Sequence, residues 1–226
     1  MANPQNQIQP IKTDDGSDSL YLPHLDEHYH STKGAIQESE HIFINAGFSF
    51  IKKDTISILE IGMGTGLNVL LTMIASASRS IKIEYTTLEK YPLPYEIYSK
   101  LNYPERLPMQ SKELFEQIHS SEWDTPVEIA SGFVLHKIEA DLLTWKPQTK
   151  FDLVYFDAFG PDKQPEMWQP EIFEKIYDGL NDNGVLVTYS AKGDVRRGLQ
   201  NAGFMVTKLQ GPPGKKHITR AVKLKN

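Results

Sequence analysis

Cysteine is absent from the 226 residues of the chain. This absence excludes a disulfide-stapled fold, a thiolate zinc site, an iron–sulfur cluster and a cysteine nucleophile. It is also typical of the reducing cytoplasm, where we expect the protein to be located.

Long apolar runs are missing as well. The first twenty residues are polar and lack the apolar stretch of a signal peptide. The longest apolar tract, residues 67–77, is too short and too mixed to span a bilayer. We therefore expect a soluble intracellular protein with no membrane partner.

Acidic residues outnumber basic ones along most of the chain but not at its C-terminal end. The formal net charge is −5, yet the segment from Ser190 onward carries nine Lys and Arg against one acid. That segment is +8 and the remainder is −13. The asymmetry is typical of a local phosphate-binding face on an acidic body, although a solvated surface has the same balance.

Strand and helix patterns alternate from Thr55 onward. Predicted strands cover 56–61, 81–88, 133–138, 151–156, 185–189 and 204–209, and the run 217–224 is expected to pair antiparallel with the sixth. Helical patterns cover 67–77, 94–101, 170–180 and 194–201, and a polar insertion extends to about residue 132. The alternation predicts an α/β fold with a doubly wound, mostly parallel sheet and ligands beyond the carboxyl ends of its strands.

Three regions are predicted along the chain. The polar residues 1–20 indicate a flexible tail. Residues 21–50 form a small N-terminal extension with a short amphipathic helix at 36–48. Residues 51–226 form a Rossmann-like domain.

A glycine-rich turn follows the first strand of this domain. The sequence Glu60-Ile-Gly62-Met-Gly64-Thr-Gly66-Leu-Asn68 has the pattern E-x-G-x-G-x-G between a strand and a helix. Glycines let the backbone approach a ligand closely, and the spacing differs from the G-x-G-x-x-G of dinucleotide sites. Glu60 suits a cationic ligand such as the amino or sulfonium group of S-adenosylmethionine. A tight turn without a ligand would need the same glycines.

Acids also end the next three strands. Glu89 is placed to accept hydrogen bonds from two ribose hydroxyls, because a carboxylate has two acceptor oxygens. Asp141 is placed to accept from an adenine amine, with Leu142 near the ring. Asp157 ends the fourth strand. Four acids at four strand ends predict a class I S-adenosylmethionine-dependent methyltransferase.

Asp157 is the predicted catalytic residue. An amine acceptor must be neutral and in line with the methyl carbon before transfer. A carboxylate can orient the amine and help to remove its proton. A buried Asp that caps the following turn is the structural alternative.

Metal chemistry is not expected. His24, His28 and His30 lie close together in sequence, but no spaced carboxylate pair supports a metal site. The nucleophile elbow of hydrolases and the phosphate-binding P-loop are absent too.

The chain resembles a known family over residues 29–226. The segments that carry the resemblance are Tyr29-His-Ser31 with Gly34; Glu38-Ser-Glu-His-Ile-Phe43; the glycine-rich turn; Glu89-Lys-Tyr-Pro-Leu93; Asp157-Ala-Phe-Gly-Pro-Asp-Lys-Gln-Pro165 with Met167-Trp168; and Ala191-Lys-Gly-Asp-Val-Arg-Arg-Gly-Leu199 with Ala202-Gly-Phe204. They resemble the MnmD-type methyltransferases of tRNA wobble-uridine modification, which correspond to the amino-terminal half of bifunctional MnmC enzymes.

The resemblance implies a reaction and its partners. It implies methylation of 5-aminomethyl-(2-thio)uridine at the wobble position in the tRNA anticodon loop, with S-adenosyl-L-methionine as cofactor. It implies that Lys90 belongs to the cofactor site and that Tyr29, Ser31 and Glu38 close over the cofactor. The FAD-dependent oxidase half of the bifunctional relatives is expected to be absent.

The basic C-terminal segment is then interpreted as an RNA-binding surface. Its candidates for the phosphate backbone are Lys192, Arg196, Arg197, Lys215 and Lys216. Trp168, Phe159 or Tyr189 could stack on the extracted base, or belong to the core. Asp162 and Lys192 depart from the small residues usual in the family.

Two alternatives remain open. One is a small-molecule amine methyltransferase or an aminopropyltransferase-like enzyme, since these share the sheet and its acidic strand ends. The other is a non-catalytic binding module with the same cofactor pocket. The sequence does not determine the oligomeric state.

Overall fold

The computed structural model describes residues 8–108 and 110–225. The strands are β1 (Gln9–Lys12), β2 (Asp18–Leu22), β3 (Glu27–His28), β4 (Thr55–Ile61), β5 (Lys82–Glu89), β6 (Val127–Ala130), β7 (Phe133–Glu139), β8 (Phe151–Phe156), β9 (Leu180–Thr188), β10 (Met205–Gln210) and β11 (His217–Val222). The helices are α1 (Ala35–Ser39), α2 (Leu67–Ala77), α3 (Tyr95–Tyr98), α4 (Tyr103–Arg106), α5 (Ser111–Ser120), α6 (Pro170–Gly179) and α7 (Gly193–Asn201). A π-helix (Glu40–Asn45) and two 3₁₀ turns (Phe48–Phe50 and Pro165–Trp168) complete them.

Eight strands form the central sheet, in the order β10-β11-β9-β8-β4-β5-β7-β6. The five strands from β9 to β7 in that order run parallel, while β6, β10 and β11 pair antiparallel. Every residue of β8 is buried, as expected for a parallel strand covered on both faces. The predicted mostly parallel sheet and its antiparallel final hairpin are confirmed.

The core has two layers, one on each face of the sheet. Alternate residues of β4 separate into them: Ile56 and Ile58 join the layer with α2 and α5, whereas Leu59 and Ile61 join the layer with α6 and α7. This follows from the two-residue period of a strand. Full burial of each such side chain contributes about 1.5–3 kcal/mol. The sheet is therefore doubly wound, as predicted.

Residues 8–20 do not form the loose tail that the sequence predicts. β1 pairs antiparallel with β2, and β2 with β3, in a separate three-stranded sheet. Leu20 is 0% exposed. The backbone N–H of Asp18 donates to Asn102 Oδ1 at 2.8 Å, and the backbone N–H of Asn102 donates to Asp18 Oδ2 at 2.9 Å. The prediction failed because the polar residues of this segment bind other parts of the chain. Residues 1–7 of the predicted tail lie outside the described residues.

The expected insertion up to residue 132 is also structured. It contains α4, α5 and β6, and Tyr103, Phe115 and Ile118 are buried. These few apolar residues line one face of short helices whose remaining positions are polar, so the sequence pattern of the segment resembles that of a loop.

Two boundaries differ from expectation. The predicted amphipathic helix is divided into α1 and the π-helix, and Ile42 and Phe43 of the latter are buried. β9 begins at Leu180 and not at the predicted residue 185, and its pairing with β8 shifts register near this start. No helix of the described chain is long and apolar enough to cross a membrane.

Candidate active site

Four strand ends meet at one edge of the central sheet. β4 pairs in parallel with β5 and β8, with Ile61 opposite both Leu88 and Phe156, and Glu89 of β5 stands opposite Glu139 of β7. The segments after these strands therefore lie side by side, as the sequence predicts.

A cavity of about 400 Å³ opens at this edge. The glycine-rich turn, the ends of β5 and β7, the segment after β8 and part of the N-terminal extension line it. Eight of the residues predicted to bind the cofactor lie on its wall: Tyr29, Gly62, Gly64, Asn68, Glu89, Lys90, Asp141 and Leu142.

The turn after β4 depends on glycine. Gly62, Gly64 and Gly66 have φ values of 88°, 51° and 74°, a region that favours glycine. A Cβ on Gly64 would lie 3.0 Å from the ring of Tyr29. Gly66 does not line the cavity, and a Cβ there would lie 3.0 Å from Nε2 of His119. Gly66 thus serves the packing of the turn, while Gly62 and Gly64 bring backbone to the cavity.

Glu89 fixes the turn from the end of β5. One carboxylate oxygen accepts from the backbone N–H of Gly64 at 3.0 Å, and the other accepts from that of Tyr91 at 2.8 Å. Burial raises the pKa of Glu89, and these hydrogen bonds oppose the rise. Because each carboxylate oxygen has two lone pairs, both retain capacity for a ligand hydroxyl.

Asp141 is held after β7 by two donors. Lys90 Nζ lies 2.8 Å from Oδ2, and the backbone N–H of Leu143 donates to Oδ1 at 2.9 Å. Burial raises the pKa of Asp141, but the hydrogen bonds and charge of its partners outweigh it, so the net pKa is lowered. Lys90 therefore orients Asp141 at the cavity wall.

Glu60 does not reach the cavity wall. Its side chain is 0% exposed and accepts a hydrogen bond of 2.7 Å from the hydroxyl of Thr87, its register partner on β5. Burial raises the pKa of Glu60 to about 8, although the hydrogen bond from Thr87 lowers it. Because Glu60 alternates with Ile58 along β4, its carboxyl group lies on the face of the sheet that α2 covers and does not line the cavity.

A second cavity, of about 750 Å³, adjoins the first. It contains Ser31 and Glu38, which the family resemblance assigned to the cofactor site. The backbone N–H of Ser31 donates to Glu38 Oε2 at 2.7 Å, and Lys215 Nζ lies 3.2 Å from Oε1. Lys192 and Lys216 also line it. Ser31 and Glu38 are thus brought to the second cavity and not to the first.

Asp157 lies on the wall that the two cavities share, together with Tyr29, Ala158 and Phe159. The side-chain amide of Asn68 donates to Asp157 Oδ2 at 2.9 Å. Burial raises the pKa of Asp157 well above its usual value. The bond from Asn68 and the charge of Lys215 lower this pKa, whereas the nearby Glu38 raises it. The predicted catalytic carboxyl group is therefore placed between the two spaces.

The predicted RNA-binding residues separate into three that form ion pairs with acids and two, Arg196 and Lys216, that form none among the described residues. Lys192 forms an ion pair with Asp162, and Arg197 forms one with Asp194. Arg196 Nε donates to the carbonyl of Ala191 at 3.3 Å. The two departures from the family pattern, Asp162 and Lys192, thus bind each other.

The three aromatic candidates also differ in position. Trp168 is 8% exposed, donates from Nε1 to the carbonyl of Phe159 at 2.8 Å and packs on Phe156, so it belongs to the core. Phe159 lines both cavities. Tyr189 lines the second one, where Lys215 Nζ lies 4.8 Å from its ring centroid.

The three histidines near the N-terminus point to different surroundings. His24 lines the first cavity, His28 packs against the ring of Tyr21, and His30 is buried. Among residues 8–108 and 110–225, no group of three His, Asp or Glu side chains has an arrangement suited to a metal ion.

Several apolar residues of the first cavity were not predicted. Leu22, Leu25 and Met63 line it. The glycine spacing located the turn that contains Met63, but apolar character alone carries no signal for the two leucines.

Comparison with known proteins points in one direction. A family profile described as S-adenosyl-L-methionine-dependent methyltransferase matches residues 103–224. The bifunctional protein MnmC of tRNA 5-methylaminomethyl-2-thiouridine biosynthesis from Ralstonia nicotianae is 30% identical over 211 residues, covering 87% of this chain and 32% of that protein. The corresponding protein from Paraburkholderia phymatum is 28% identical, covering 84% and 31%. The chain spans about a third of the length of these curated relatives.

Solved structures agree with these matches. The crystal structure of MNMC2 from Aquifex aeolicus aligns with a TM-score of 0.79 at 26% identity, covering 95% of this chain and 70% of that one. Spermidine synthase from Thermotoga maritima aligns at 0.58 with 16% identity, covering 96% and 73%, and shows the shared fold. With a family profile matched over more than half of its length and a cavity formed by the predicted turn and strand ends, the chain belongs to the S-adenosyl-L-methionine-dependent methyltransferases.

Proposed function

We propose that the chain methylates the exocyclic amine of 5-aminomethyl-(2-thio)uridine at the tRNA wobble position, giving 5-methylaminomethyl-(2-thio)uridine. The observation that carries the proposal is the position of Asp157 on the wall between a cofactor-sized cavity and a second, open one. The names of the MnmC relatives and the similarity to MNMC2 support this choice of substrate. A cytoplasmic location is part of the same proposal.

The first cavity fits S-adenosyl-L-methionine. The close approach of Gly64 to Tyr29 leaves backbone, without a Cβ, facing the cavity. Glu89 offers acceptor oxygens for the ribose hydroxyls, and Asp141 beside the buried Leu142 offers an acceptor for the adenine amine. When bound, the cofactor supplies an electrophilic methyl group. Its binding residues would be those eight on the wall of the cavity.

Asp157 would prepare the acceptor. An aminomethyl group is largely protonated in water, and its nitrogen has no lone pair until one proton leaves. Asp157 accepts that proton and keeps the neutral amine oriented through a hydrogen bond, while Asn68 holds Oδ2. A carboxyl group whose pKa is raised by burial is a stronger base than an exposed one, so it suits this transfer.

The second cavity would receive the modified base. Its wall includes Phe159 and Tyr189, which offer ring faces, and Lys216, an exposed cation with no ion pair among the described residues. The three other lysines on this wall are paired with acids. A free cation at the cavity, together with the basic excess of the C-terminal segment, favours an acceptor carried on a polyanion over a small free cationic amine. This charge favours the proposal over the alternative of a small-molecule amine methyltransferase or aminopropyltransferase.

The test is a transfer experiment with labelled cofactor. Purified protein is incubated with radiolabelled S-adenosyl-L-methionine and bulk tRNA from cells that cannot methylate the wobble aminomethyl group, and the digested nucleosides are identified by mass. Label in 5-methylaminomethyl-(2-thio)uridine supports the proposal. Label absent from tRNA, with cofactor binding intact, would contradict it and favour a small amine, which a second incubation with polyamines would detect.

A further inference from the structure

Three of the five residues predicted to bind RNA already have acidic partners. Lys192 pairs with Asp162, Arg197 pairs with Asp194, and Lys215 pairs with Glu38 inside the second cavity. An anionic ligand would have to displace a carboxylate at each of them. Arg196 and Lys216 differ, because no carboxylate among residues 8–108 and 110–225 lies within ion-pair distance of either. Only these two of the five cations are free to bind phosphate without such a competition.

Lys208 joins these two cations through the geometry of the final hairpin. In the antiparallel register of β10 and β11, Lys208 stands opposite Thr219 and Gln210 stands opposite His217. Directly opposed and alternate residues share one face of a sheet, so the side chains of Lys208 and His217 lie on the same face.

Helix α7 covers that face and carries Arg196. Val206 and Ala221, which alternate with Lys208 and Thr219 along the two strands, pack in the core layer that contains Val195 and Leu199 of α7. Arg196 follows Val195 directly and is half-buried beside the hairpin. Lys216 precedes His217 at the start of β11 and is exposed. The four side chains therefore come together where α7 meets the turn end of the hairpin.

The charge around His217 agrees with this geometry. Desolvation lowers the pKa of His217, and the positive charges of Lys208, Lys216 and Arg196 lower it further. No carboxylate among the described residues offsets them there. Three cations without acidic partners give this part of an acidic protein a positive potential, which attracts a polyanion.

We propose that Arg196, Lys208 and Lys216, grouped around His217, form a surface for the RNA phosphate backbone beside the methylated nucleotide. Lys216 and His217 also line the second cavity, so this surface is continuous with the space assigned to the modified base. The proposal rests on the proposed function for the identity of the polyanion. Phosphates adjoining an extracted base would reach the surface while the base occupies the cavity.

The matched comparison uses two triple variants with the same change in charge. One is Arg196→Ala/Lys208→Ala/Lys216→Ala, and the other is Lys82→Ala/Lys112→Ala/Lys150→Ala. The three control lysines are exposed and have no ion pair among the described residues, and none of them lies on α7 or the hairpin. Circular dichroism and thermal unfolding establish that both variants are folded. If the first triple variant is not folded, Lys208→Ala alone takes its place in the comparison.

The measurement is tRNA affinity as a function of salt concentration. Each lost phosphate contact lowers the magnitude of the slope of log K against log salt by about 0.7–0.9. The surface variant should therefore lose about 2.1–2.7 from this magnitude, and Lys208→Ala alone somewhat less than about 1. The control variant should keep the slope of the wild type. The KM for tRNA in methyl transfer should rise in the surface variant and not in the control.

The outcomes separate this proposal from the proposed function. Wild-type methylation of tRNA with equal slopes in all three proteins would overturn the surface and leave the function intact. A slope reduced only in the surface variant, with no methylation of the wobble nucleoside by the wild type, would support the surface and remove the function. Binding to phosphatidylserine vesicles that the surface variant alone loses, with tRNA affinity unchanged, would overturn the proposal in favour of a membrane.

Discussion

Asn68 donates a hydrogen bond of 2.9 Å from its side-chain amide to Oδ2 of Asp157, and so joins the start of α2 to the end of β8. The bond fixes one carboxylate oxygen. Among the described residues no donor binds Oδ1, which leaves that oxygen for an acceptor amine. The same contact makes the carboxylate orientation depend on the turn that holds the cofactor.

Replacement of Asp157 tests its role as a base. We expect Asp157→Asn to lower the single-turnover rate of methyl transfer by about 10²–10⁴-fold, since the amide cannot take the proton. Cofactor affinity, measured by titration calorimetry, should stay close to that of the wild type because the replacement has nearly the same shape. A wild-type rate in this variant would remove Asp157 from the reaction.

Removal of the positive or of the negative charge next to Asp157 should shift the pH profile of the methyl-transfer rate in opposite directions. Transfer needs the unprotonated carboxylate, so the rate falls as pH drops through the pKa of Asp157. Lys215 lowers this pKa, so Lys215→Met should move the acidic limb to higher pH. Glu38 raises it, so Glu38→Gln should move the limb to lower pH.

The pH-rate profile under saturating substrates measures both variants. Lys112→Met, a change at an exposed lysine of α5, is the matched control and should leave the limb in place. Shifts of Lys215→Met and Glu38→Gln in the same direction would contradict the arrangement.

Glu89 should contribute to cofactor affinity through the turn and the ribose together. Glu89→Ala leaves the N–H groups of Gly64 and Tyr91 without their acceptor, so we expect a loss of about 1–3 kcal/mol in binding. That corresponds to roughly 5- to 150-fold in the dissociation constant. Glu139→Ala is the control, because Glu139 stands opposite Glu89 in the sheet but does not line the cavity. Equal affinities of the two variants would be inconsistent with the site.

Stability should depend on the segment that was expected to be a tail. Leu20 is 0% exposed, so Leu20→Ala should lower the free energy of unfolding by about 2–5 kcal/mol in urea titration. Gln9→Ala, an exposed change on the neighbouring β1, should have little effect. A free energy unchanged in Leu20→Ala would mean that the segment does not pack in solution as it does here.

The sequence pattern predicts the sheet and most of the first cavity well, for a physical reason. Alternation of strands and helices determines that the strands run parallel, and parallel strands bring their carboxyl ends to one edge. Any polar residue just beyond such a strand, such as Glu89 or Asp141, is then near its counterparts whatever its side-chain conformation. For this reason, the site positions predicted from the spacing of strands and helices in the sequence agree with the structure.

Side-chain direction and long-range contacts were beyond that pattern. Glu60 belongs to the glycine motif but lies on the face of the sheet that carries Ile58, where it accepts a hydrogen bond from Thr87, and the motif alone does not give this direction. Glu38 lies in the second cavity because it meets Lys215, which is distant in sequence. The tail prediction failed similarly, because Asp18 uses its polarity to bind Asn102 and not water.

The wall common to both cavities has a consequence for inhibition. Asp157, Ala158 and Phe159 face each space, so a single compound could extend from one into the other around these residues. A nucleoside joined by a short linker to an aminomethyl pyrimidine would make both sets of contacts while losing translational and rotational freedom once. Such a bisubstrate inhibitor would bind this protein more tightly than it binds methyltransferases that share only the first cavity.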